Sequence, residues 1–121
     1  MEVSSMENAV KRLEELKNSW GVFAEASPDV IGAFGQMREA CCGEGGALDF
    51  KTKELVSVAV AVARKCEPCI LSHVELIVDL GVSRQELVEA LNTAILLCGG
   101  PGWAYSAFAL QAYDQMTEAK K

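Results

Sequence analysis

"DFKTKELVSVAVAVARKC", residues 49 to 66, decides the fold. From Val56 to Ala63, Val and small residues alternate as they would along a half-buried strand. The run is nevertheless framed by "DFKTKEL" and "ARKC", with no turn signal inside it, and its small residues suit the close approach of helices. The helical reading therefore prevails, with Asp49 capping a helix from about Phe50 to Arg64. Its apolar part, Leu55 to Ala63, is too short to span a bilayer and reads as a buried helix.

Helical signals continue on both sides. Downstream, a fourth helix is expected from about Glu67 to Leu80, with Pro68 in its first turn and Gly81 past its end. Ser83 and Glu86 form a capping box for a fifth helix that ends near Cys98, and "GGPG", residues 99 to 102, reads as a firm break before a sixth from Trp103 to Met116. Upstream, Ser4 and Glu7 make another capping box for a first helix that carries Val10, Leu13, Leu16 and Trp20 at helical spacing and stops at Gly21. Ser27 and Pro28 open a second helix, predicted to bury Val30, Ile31, Phe34, Met37 and Cys41 before the glycines that follow. With no credible strand, the sequence describes an all-α, six-helix bundle in one domain over residues 1–121.

Composition limits the functions available. A chain of 121 residues can bury a single core, and chains this short often complete that core by oligomerising. Its net charge is −6, and its basic residues form no run longer than the terminal "KK". Nucleic acid and anionic membranes are therefore poor partners, since phosphate binding needs a concentrated positive patch. The charged, helix-periodic amino terminus lacks the pattern of a secretory signal, which makes a cytoplasmic location the expectation. In that reducing compartment, five cysteines point to redox chemistry or metal binding rather than to a structural disulfide framework.

The chemistry is concentrated in "ARKCEPCILSHVEL", residues 63 to 76. On a helix, Cys66, Cys69 and His73 fall at about 0°, 300° and 340°, a single stripe. A thiol pair at a helix start can close a small disulfide, and the free amide N–H groups there favour thiolate over thiol. His73 lies one turn beyond Cys69, within reach of its proton. If the third and fourth helices form a tight antiparallel pair, Glu54 lies nearly level with His73, which suggests a relay in which Glu54 orients His73 and His73 activates Cys69. Zinc is the chemical rival, with Cys41 or Cys42 as a further ligand, and a helical binding module with sensor thiols is the rival of another class. Ordinary explanations exist as well: one core and one near-surface thiol at Cys41 and Cys42, a buried Cys98, and aromatic packing at Trp103, Tyr105 and Phe108.

Residues 48 to 102 resemble the AhpD-like branch of the carboxymuconolactone decarboxylase family. The resemblance rests on "KTKEL", the CxxC with a histidine four residues later, "LGVSRQELVEAL" and the glycine break. It implies an all-helical subunit assembled as a homotrimer or homohexamer, and a dithiol that reduces peroxides or exchanges disulfides without a metal or other cofactor. A dithiol reductant, such as a lipoyl carrier protein or a thioredoxin-like protein, would return the electrons. By the same resemblance Cys69 is the reactive cysteine, Cys66 its disulfide partner, His73 the proton-relay histidine and Glu54 the relay glutamate. AhpD proper has a second histidine just before the reactive cysteine, where this chain has Pro68, so slow peroxide turnover is expected and disulfide exchange is the better supported activity.

Overall fold

The structure, a computed structural model, describes residues 9–121, and the described residues form six α-helices with no strand. They are α1 (Ala9–Ala26), α2 (Pro28–Cys42), α3 (Phe50–Ala63), α4 (Glu67–Asp79), α5 (Arg84–Cys98) and α6 (Gly100–Ala119). The expected capping box at Ser4 and Glu7 lies outside the described residues.

Phe50–Ala63 is helical, as its frame requires. Asp49 caps α3 by accepting the Thr52 amide at 2.8 Å. Only one face of this helix is buried, however: Glu54, Val58, Ala61 and Val62 point inward while Val56 and Val60 are exposed. The alternation of Val and Ala thus straddles the buried stripe instead of filling a wholly buried helix. Ile70, Leu71, Val74 and Ile77 of α4 meet that stripe, and Leu87 and Leu91 of α5 with Ala109, Ala112 and Met116 of α6 complete the core. Leu13 of α1 adds to it from the side.

Two turns set the frame with the same hydrogen-bond pattern. After α3, the Lys65 N–H bonds to the Val62 carbonyl at 3.0 Å and the Cys66 N–H to the Ala61 carbonyl at 3.1 Å, with Lys65 at φ +58°. After α4, Gly81 bonds to Val78 and Val82 to Ile77 in the same way, with Gly81 at φ +77°. Both are Schellman closures, in which a left-handed residue reverses the chain at once. Ser83 and Glu86 then cap α5 reciprocally, and Tyr113 of α6 donates its buried hydroxyl proton to the Val82 carbonyl at 2.6 Å.

Several sequence expectations are corrected. Helix α1 runs through Gly21 to Ala26, because one exposed glycine lowers helix propensity without breaking a hydrogen bond. The "GGPG" break is confined to Gly99, at φ +67°, and α6 starts at Gly100 with Pro101 in its first turn. The largest difference is α2: Val30, Phe34, Met37 and Cys41 are exposed and Ile31 only half-buried, because α2 lies beside the bundle with no second layer over its apolar face among the described residues.

Candidate active site

Cys66 does two jobs in the backbone. Its N–H closes the turn after α3, and its side chain is the N-cap of α4, with Sγ accepting the Cys69 N–H at 3.3 Å. Pro68 fits the first turn of α4, where no amide partner is needed. This local geometry brings the Cα atoms of Cys66 and Cys69 to 5.2 Å, and the two sulfurs are joined in a disulfide. Cys69 is exposed and Cys66 half-buried.

One turn further along α4, His73 reaches back to α3. Its Nδ1 lies 2.7 Å from Oε1 of Glu54, whose residue is only 1% exposed. Glu54 is held inside because it shares the stripe of Val58, Ala61 and Val62, and a buried carboxylate is costly unless hydrogen-bonded. With Glu54 ionised its oxygens only accept, and in that state the proton sits on Nδ1 and Nε2 is the available nitrogen. The distance agrees with the level placement expected from helical rise.

Two cavities meet at this point. One, of about 430 Å³, lies against α3 and is lined by Val56, Val60 and Arg64. The other, of about 730 Å³, opens between α1, α2 and α4, with Trp20, Phe23, Phe34 and Met37 on its walls and Arg38 as its cation. Ser57, Cys69 and His73 line both, so the exposed sulfur and the imidazole form the partition between two openings.

Ser57 was not singled out from the sequence, although its position three residues after Glu54 puts it on the same side of α3. Cys42 is nearby: burial pushes its thiol up, Cys41 and the Glu54 charge push in the same direction, and a hydrogen bond with Ser57 opposes them. Neither Cys41, which is exposed, nor Cys42, which is half-buried, is the core thiol expected, since α2 has no buried face. Cys98 is half-buried beside the exposed Leu96 and Leu97, and Trp103 is exposed, because the far faces of α5 and α6 have no neighbour among the described residues. Among the described residues no three His, Cys, Asp or Glu side chains are gathered as a metal site, and no helix is long and apolar enough to cross a membrane.

Together the fold and the site define a class: an all-helical subunit with a Cys-x-x-Cys pair at a helix N-terminus and, behind it, a buried glutamate paired with a half-buried histidine. The chain belongs to the carboxymuconolactone decarboxylase family, whose model matches residues 28–112. It is 33% identical over 105 residues to an uncharacterized protein of Cupriavidus necator, covering 87% of this chain and 92% of that one. An uncharacterized protein of Haemophilus influenzae is 43% identical over 99 residues, covering 82% and 87%. Among solved structures, a carboxymuconolactone decarboxylase family protein from Legionella pneumophila superposes with a TM-score of 0.88 at 33% identity, over 92% of this chain and 98% of that one. A Burkholderia xenovorans protein, at 24% identity and a TM-score of 0.75 over 84% and 80%, shares the fold.

Proposed function

We propose that this protein is a thiol-dependent oxidoreductase of the AhpD-like type, whose Cys66–Cys69 dithiol reduces peroxides or exchanges disulfides. The observation that carries the reading is the disulfide at the start of α4 with the Glu54–His73 pair one turn behind it. The lactone decarboxylases of the family use no cysteine pair, so a closed CxxC favours the redox branch.

In the reduced protein, Nε2 of His73 takes the Cys69 proton while Glu54 holds the ring by Nδ1. The Cys69 thiolate attacks the terminal oxygen of a hydroperoxide, giving a sulfenic acid and releasing the alcohol or water. Cys66 then condenses with it, expelling water and closing the disulfide. A partner dithiol donates two electrons and two protons to reopen it and becomes a disulfide itself. When the oxidant is a disulfide, the same thiolate attacks sulfur and the first product is a mixed disulfide. The reductant is a small or protein-borne dithiol, with a lipoyl carrier protein or a thioredoxin-like protein as the candidates.

The exposed apolar side chains of α1 and α2 support assembly, and the homotrimer or homohexamer is the form the family resemblance implies. The test of the chemistry is intact mass and peptide mapping after alkylation, before and after mild peroxide, with turnover measured using a dithiol reductant. We expect one reversible Cys66–Cys69 disulfide per chain. Thiols that stay alkylatable after peroxide, with stoichiometric zinc bound, would overturn the redox reading in favour of a metal clip.

A further inference from the structure

Cys41 and Cys42 close the C-terminal end of α2 with their sulfurs 3.7 Å apart. Although α2 contributes no buried residue, its last turn faces the site: Cys42 lines the same cavity as Ser57, and its thiol feels the Glu54 carboxylate. Cys41, Cys42, Cys69 and His73 all line the same cavity of about 730 Å³. Thiols from α2 therefore share one space with Cys69, the exposed sulfur of the disulfide. We propose that Cys42 is a third redox thiol of this site, which attacks Cys69 to form a Cys42–Cys69 disulfide tying α2 to the start of α4. This inference rests on the redox reading above.

The step balances without an external oxidant. The Cys42 thiolate attacks the Cys69 sulfur, the Cys42–Cys69 bond forms as the Cys66–Cys69 bond breaks, and Cys66 leaves as a thiolate that takes up the proton given by Cys42. Adjacent cysteines rarely make a relaxed disulfide, so Cys41 does not carry the exchange further and the inter-helix bond is its end point. Burial, the Cys41 thiol and the Glu54 charge keep Cys42 protonated near neutral pH, which makes it slower than the neighbouring Cys66 at resolving Cys69. Because no α2 residue is buried, the helix can shift toward α4 without opening the core.

The test uses Cys66→Ser, which keeps an N-cap oxygen at α4 and leaves Cys69 without its neighbour. After oxidation with diamide, non-reducing peptide mapping should find Cys42 linked to Cys69 within one chain. Of the four thiols that remain when one of five cysteines is removed, two should be lost to alkylation. Adding Cys42→Ser should abolish the linked peptide, and adding Cys41→Ser should leave it. The unmutated chain held in alkaline buffer should show the same linkage as a minor species, a reading independent of how the variant folds. A Cys69 that stays alkylatable or links only between chains, or a linkage that needs Cys41 and not Cys42, overturns the proposal. If the unmutated chain forms Cys66–Cys69 reversibly while Cys42 never links, this inference alone fails; if it forms no disulfide at all, the redox reading fails with it.

Discussion

His73 has one ring nitrogen held by Glu54 and one left for chemistry. Replacing it with Ala should slow alkylation of Cys69 near neutral pH by about 10²–10⁴-fold, the usual value of a positioned base. The same change leaves a buried carboxylate without its histidine, at a cost of about 1–3 kcal/mol, so rate and denaturation midpoint should be measured together. Glu54→Gln should slow the thiol less, because an amide can still receive the Nδ1 proton while removing the charge behind it. The pH profile of alkylation checks both; a His73→Ala profile that overlays the parent would remove the base from the scheme. Sequence spacing alone brought Cys66, Cys69, His73 and Glu54 to one place, because all four lie on two helices joined by a turn of known geometry. The same spacing reaches Ser57, three residues after Glu54, but it could not place Cys42. The latter's position depends on the loop before α3, where Lys53 donates to the Gly43 and Gly45 carbonyls, a tertiary contact with no periodic signature.

Helix α6 crosses α5 at Gly102, where an added Cβ would lie 2.9 Å from the Ala94 carbonyl oxygen. A backbone atom cannot step aside as a flexible side chain can, so Gly102→Ala should destabilise the fold by about 1–3 kcal/mol, read as a lower urea midpoint. A glycine-rich run can thus mark close packing as well as a chain break, and only Gly99, with its positive φ, does the breaking. The same pair of helices is tied at the surface by Arg84 and Asp114, 2.9 Å apart, and that guanidinium holds the Asp114 carboxyl below its usual range. A lowered folded value contributes stability above the unfolded value near pH 3.9 and loses it as pH falls through the folded one. The stability gap between the parent and Asp114→Asn should therefore narrow below about pH 4, as urea titrations at two pH values would show. Helix number and type were legible because caps and 3.6-residue periodicity are local. The exposure of α2 was not, since periodicity marks an apolar face without saying what covers it.

At the scale of the whole molecule, that uncovered face sets the expectation for assembly. Trp20, Phe23, Val30, Phe34 and Met37 are all exposed on α1 and α2, more apolar surface than a lone subunit usually leaves to water. Light scattering at micromolar concentration should find a trimer or hexamer, and Phe34→Glu should shift it toward smaller species; a parent protein that is already monomeric would contradict the assembly. Cys66 carries a different consequence for the molecule as a whole. Since its sulfur caps α4 and its amide ends α3, the electrons that open the disulfide also change the anchor of two helices. A thiolate at a helix N-terminus gains that environment only in the folded chain. Folding and reduction are then two sides of one thermodynamic cycle. The difference in unfolding free energy between reduced and oxidised protein must equal the difference in disulfide potential between the native and unfolded chains, about 1.4 kcal/mol for every 30 mV. A calorimeter and a redox titration would be measuring the same quantity.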